Sequence, residues 1–114
     1  MTYRHILVAV AAIAALGTAS AADRKIKITS RYLNFPISHS ADRKAMTFIV
    51  DGWQDCRSVM RLTDAQPDYW TFRDVSRWRG KTITLSFDGP QAALDRVVAA
   101  DTIVGASTMY AERL

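Results

Sequence analysis

From Lys25 to Phe87 the apolar residues recur mostly at every second position, the spacing of strands with one face in a core. After Asp23, the run "RKIKITSRYLNFPI" sets Ile26 and Ile28 among charged and polar neighbours and breaks at Pro36, which suits an edge strand entering a turn at "SHSADRK". "AMTFIV" predicts a second strand, and Asp51-Gly52 a tight hairpin turn, because glycine adopts the positive φ such turns require. "DCRSVMRL" returns as the partner strand, with Cys56, Ser58, Met60 and Leu62 on one face and Arg57, Val59 and Arg61 on the other. The polar loop "TDAQPD" ends it.

The stretch "DYWTFRDVSRWRGKTITLSFDG" holds two further strands around a corner. In the first, Trp70 and Phe72 share one face while Tyr69, Thr71 and Arg73 share the other; in the second, Ile83, Leu85 and Phe87 alternate with polar residues. Between them Asp74 and Ser76 are placed to accept local backbone hydrogen bonds, Trp78 to fold back over the end of the core, and Gly80 to take the left-handed conformation. The Arg and Asp of "FRD" therefore mark a strand end rather than an acid/base pair. "QAALDRVVAAD" fits either a short helix or a loop followed by a last strand through Val97 to Ile103, and the strand is favoured. The expected fold is all-β: a small antiparallel β-sandwich, jelly-roll-like.

The chain is 114 residues long, room for one domain. At its start, Arg4 and His5 precede the apolar run "ILVAVAAIAALG", and Ala19-Ser20-Ala21 offers the small residues a signal peptidase reads. Residues 1–21 or 1–22 are thus expected to be a cleaved secretory signal, with Ala22 or Asp23 as the first residue left, the run being too short for a stable membrane span. No Cys follows it, which argues against lipoprotein processing. Residues 23–102 form the expected sandwich module, and 103–114, ending in "TMYAERL", read as a connector cut short. The protein is expected to be exported, to a periplasmic or extracellular place.

The net charge of +4 is dispersed and interrupted by acids, so it describes solvated faces rather than a phosphate track, and no nucleic-acid partner is expected. Cys56 is the one cysteine, which rules out an intrachain disulfide; in its run it reads as a small buried hydrophobe. A core of roughly 90 residues must then hold the fold unaided, at a size where the buried fraction is modest. His39 is the one histidine beyond the signal segment, so no histidine metal cluster is available, and a Ser/His/Asp triad would depend on a turn residue. Asp88, Asp95 and Asp101 have no spacing that gathers calcium ligands. No metal, cofactor or catalytic residue is expected.

Taken together, "YLNFPIS", "FIVDGWQDCRSVMRL", "PDYWTFRDVSRWRGKTITLSFDG", "LDRVVAADTIVGA" and "MYAERL" resemble the amino-terminal module of levanase and fructanase-type members of glycoside hydrolase family 32. The resemblance runs from about Ile26 to Leu114 and rests on the order and spacing of several segments. It implies a small β-sandwich of undefined function leading into a five-bladed β-propeller that hydrolyses fructans such as levan, inulin or sucrose. The family's catalytic motifs, Asn-Asp-Pro-Asn-Gly, Arg-Asp-Pro and Glu-Cys, do not occur in this chain. Arg73-Asp74-Val75 lacks the Pro of the second and lies in the sandwich segment, so no catalytic role carries over to it.

Two roles then stand side by side. One is a docking module, with a glycosidase propeller as partner and no sugar contact of its own. The other is a carbohydrate-binding module for fructan polysaccharide, which needs an exposed aromatic plane with polar groups at its rim. Trp53 follows the turn glycine with Gln54 and Asp55 beside it, and packing across the hairpin is its alternative role. Tyr69 is a weaker candidate, as is Trp78, because strand and corner packing already account for them.

Overall fold

A computed structural model of the chain describes residues 21–105. The expected signal segment, save Ala21 and Ala22, and most of the expected connector lie outside the described residues.

Among the described residues, seven strands form two antiparallel sheets. β1 (Ala22–Lys27), β6 (Thr82–Phe87), β3 (Lys44–Val50) and β4 (Trp53–Met60) pair in that order in the larger sheet, and β5 (Tyr69–Asp74), β2 (Tyr32–Ile37) and β7 (Val98–Ala100) in the smaller. A short helix, α1 (Gln91–Leu94), precedes β7. Met46, Phe48, Ile83, Leu85 and Phe87 from the larger sheet and Leu33, Phe35 and Ile37 from the smaller bury one common core. The arrangement is that of an all-β sandwich. The rings of Phe35 and Phe48 meet edge-on across the two sheets, centroids 6.1 Å apart, a geometry aromatic pairs favour.

The run "RKIKITSRYLNFPI" is two strands in different sheets, not one edge strand. β1 is an edge, as expected, but the chain changes sheet between Ile28 and Arg31, with Ile28 buried at the crossing. A second crossing, from β5 to β6, runs beside the first in the opposite sense. Hydrogen bonds tie the two together: Val75 N donates to Arg31 O (2.7 Å), Gly80 N to Ile28 O (2.8 Å) and Ile28 N to Lys81 O (2.8 Å). Pro36 does not end β2, which runs on to Ile37. It is tolerated within the central strand because pairing with β7 stops at Asn34↔Val98, so its missing N–H removes no bond from that ladder.

The corner behaves as its sequence implies except at Ser76, whose hydroxyl donates to Asp74 instead of accepting from the backbone. Asp74 Oδ1 accepts from Ser76 N (2.9 Å) and Ser76 Oγ (2.6 Å); Ser76–Trp78 make one 3-10 turn, and Gly80 sits at φ +86°. Trp78 is 5% exposed and packs on Phe48 at 6.2 Å. Asp51 and Gly52 both take positive φ at the hairpin turn. The faces of β5, however, are the reverse of the usual apolar-inward arrangement. Tyr69, Thr71 and Arg73 lie opposite the buried Ile37, Phe35 and Leu33 and so face the core, while Trp70 and Phe72 lie on the outer face. There Phe72 meets Tyr32 edge-on at 5.6 Å. Cys56 is half-buried at the rim of the core rather than within it, and burial raises the pKa of its thiol.

The C-terminal end uses both alternatives left open by "QAALDRVVAAD". α1 buries Ala93 and Leu94, and β7 is a strand of Val98–Ala100, shorter than Val97–Ile103. Arg24 Nη1 caps the intervening turn by donating to Leu94 O (3.1 Å) and Val97 O (2.8 Å), which closes this flank of the sandwich. Beyond β7 the chain doubles back over the smaller sheet. The buried Asn34 clasps it: Nδ2 donates to Val98 O (3.2 Å) and Thr102 O (3.3 Å), and Oδ1 accepts from Val104 N (2.9 Å). Gly105, at φ +68°, comes so close to Trp70 that a Cβ there would lie 3.1 Å from Trp70 Cδ1.

Replacing Trp78 with alanine removes a buried ring from the crossing and is expected to destabilise the domain by about 3 to 5 kcal/mol. Trp53→Ala, at a residue 79% exposed, should change stability by less than about 0.5 kcal/mol. Urea unfolding followed by tryptophan fluorescence distinguishes the two.

Candidate functional site

The four residues singled out from sequence do not form one site. Trp53, Gln54 and Asp55 stand exposed at the start of β4. Asp55 is the extra residue of a β-bulge, since Phe48 pairs with Cys56 and Ile49 with Gln54. A bulge twists a strand and redirects its side chains, and here the Asp55 carboxylate meets Arg77 Nη2 at 2.7 Å. Arg77 in turn lies over the Trp78 ring at 4.5 Å. Asp55 is therefore tied to the corner, leaving Gln54 as the polar neighbour of Trp53. Tyr69 lies by the other end of β4, its ring 5.7 Å from that of His39.

What Tyr69 does join is a cleft of about 370 Å³ on the flank opposite α1, between the edge strands β4 and β5. The inward faces of the two edges make its walls, with Ser58 and Met60 on one and Tyr69, Thr71 and Arg73 on the other, and Phe35 and Phe48 form its floor. Arg43 and Arg61 stand at one end, and among the described residues no acidic one lines it. The Arg61 guanidinium donates to Ala41 O at 2.7 Å, which orders the loop beside the opening. Arg73 lies 5.0 Å from the Phe48 ring centroid and 5.8 Å from that of Trp78. Its charge is stabilised by aromatic faces rather than by a carboxylate.

In the sequence Arg61 falls on the face opposite Cys56, Ser58 and Met60 and Arg73 at a strand end, and neither position points to a cleft. A signal was present in the strict alternation of Tyr69, Thr71 and Arg73. With two aromatics on the other face of the same strand, alternation alone could not say which face turned inward.

The aspartates near these sites are held locally. Asp74, at the end of β5, has its pKa lowered to about 2, first by the Ser76 hydroxyl, then by the Ser76 N–H and by Arg31, whose Nε donates at 3.1 Å. Asp51 meets Lys81 Nζ at 2.6 Å. Among the described residues no cluster of three or more His, Cys, Asp or Glu is placed to hold a metal ion, and no helix is long and apolar enough to cross a membrane. Compared with known proteins, the chain matches no family model, no curated protein and no solved structure.

Because the folded state holds Asp74 below its ordinary value, this group contributes stability that is present above about pH 4 and is lost as the pH falls towards about 2. Asp74→Asn should therefore melt at a lower temperature than the parent at neutral pH. It should also lose less of its melting temperature between those two pH values, as circular dichroism melts across the range will show.

Proposed function

We propose that the chain is the noncatalytic amino-terminal module of an exported fructan hydrolase of the levanase or fructanase type, a jelly-roll-like sandwich that packs on or supports the glycosidase propeller. The family context rests on the resemblance of the five segments from "YLNFPIS" to "MYAERL". The structural observation that supports a noncatalytic role is how the nearby carboxylates are used. Asp74, Asp55 and Asp51 each meet a cation close by, at the corner or the hairpin, and none opens into the cleft. Retaining glycosidases need two carboxyl groups roughly 5 Å apart with room for a sugar ring between them.

A second reading, fructan binding, has one observation in its favour: Trp53 is 79% exposed, the highest value among the large apolar residues described. Its hairpin position leaves the ring free of the core. One ring beside Gln54 buries little area against the cost of immobilising a flexible sugar, so affinity by this route should be no better than about millimolar.

The start of β1 bears on which of the two expected cuts leaves the strand whole. Ala22 is buried and pairs with Phe87 at the start of β1, so cleavage after Ala21 leaves the strand intact, whereas cleavage after Ala22 removes its first residue.

The purified chain should release no reducing sugar from levan, inulin or sucrose, and should co-elute with a separately expressed family propeller on gel filtration. Sugar release that disappears in Asp74→Asn would overturn the noncatalytic role. Passage through the column without the propeller would overturn docking, and tight calorimetric binding to levan oligosaccharides that Trp53→Ala abolishes would replace it with sugar binding. Mass spectrometry of the exported protein should give Ala22 as its first residue; an intact chain beginning at Met1 in the membrane fraction would contradict export.

A further inference from the structure

We infer that the cleft between β4 and β5 is a strand-docking site, in which an extended acidic segment of a partner protein pairs with the free edge of β5 and directs its carboxylates at Arg73 and Arg61. The inference rests on the docking reading and adds to it the edge used and the chemistry the partner presents.

Three observations carry it. Both walls of the cleft are edge strands, so each keeps a row of backbone donors and acceptors with no neighbouring strand among the described residues. Of the two, β5 is the better template: it pairs with β2 in unbroken register over Tyr69–Asp74, whereas β4 is interrupted by the Asp55 bulge. Among the described residues the charge is of one sign, since Arg43, Arg61 and Arg73 line the cleft with no acid beside them and none of the three forms an ion pair. Finally, the lips are apolar, with Phe72 40% and Val59 45% exposed.

An added strand would extend the smaller sheet across the opening. Alternation then sends every second side chain inward, towards Arg73 and Arg61, and the others outward beside Phe72. Acidic residues at the inward positions and β-branched residues at the outward ones match both faces. A second copy of this chain offers the wrong complement, because pairing β5 with β5 would bring two arginine-lined clefts together.

Amide NMR of the whole chain, titrated with the capped peptide acetyl-Val-Glu-Val-Glu-Val-Thr-amide up to about 1 mM, tests this at a strength suited to a short strand. Shifts and slowed hydrogen exchange confined to β5 and the cleft are expected, with affinity falling about tenfold in Arg73→Gln. Should that variant fail to fold, Ser58→Glu, which places a negative charge on the opposite wall, should weaken binding likewise. The inference is overturned by equal binding of the peptide with Lys in place of Glu, or by glutarate binding as tightly as the peptide. Shifts on another surface, or no shifts at all, overturn it too. Such a failure leaves the docking reading to the gel-filtration test, which uses the propeller and not the peptide.

Discussion

The packing of Trp78 on Phe48, with the Arg73 guanidinium over both rings, is the contact on which the joining of the two sheets depends. Trp78 belongs to the corner through which the chain leaves the smaller sheet for the larger, and Phe48 is on the larger sheet's inner face. With no disulfide possible in a chain that has one cysteine, such a corner has to be held by burial and hydrogen bonds. The neighbouring crossing at Ile28–Arg31 supplies them: its carbonyls accept from Val75 and Gly80, and Ile28 N donates back to Lys81 O. The two crossings thus brace each other where each would otherwise leave buried backbone groups unpaired.

The flanks of the sandwich differ because they are finished differently. On one, α1 packs beside β1 and Arg24 caps the carbonyls of Leu94 and Val97, so the layers are sealed. On the other, β4 and β5 face each other without pairing, and the side chains over the core are Arg73, Tyr69 and Met60. The Arg73 guanidinium itself lies over the Phe48 and Trp78 rings, so a charged head covers the apolar floor. This finish protects the core without closing the cleft, which is why a flank can be part of the core and still be open to a partner.

The local chemistry was legible in the sequence wherever a residue type answers to its immediate neighbours. The Asp51-Gly52 turn, the Asp74 and Ser76 bonds, Gly80 and the inward Trp78 all depend on neighbours a few positions away. So does the half-buried face of β4 formed by Cys56, Ser58 and Met60. The readings that the structure corrects are long-range ones. Nothing within "RKIKITSRYLNFPI" marks the change of sheet, because each half alternates acceptably and only pairing with distant β6 and β5 separates them. Alternation alone leaves the inward face of β5 open; Trp70 and Phe72 face outward although apolar, and Arg73 inward although charged, because the aromatic floor makes a cation welcome there. The cleft followed from that inversion and stayed hidden with it. The exposure of Trp53 could be foreseen from its hairpin position, whereas the capture of Asp55 by Arg77 depends on a bulge that local pattern does not reveal.

Asn34 carries a mechanical consequence. It sits on the middle strand of the smaller sheet and grips the returning chain at Val98, Thr102 and Val104. The bonds at Thr102 and Val104 lie beyond β7, so a pull on Gly105 reaches these two before it reaches the β7 ladder and the bond to Val98 within it. A single side-chain amide thus shields the last strand from that load.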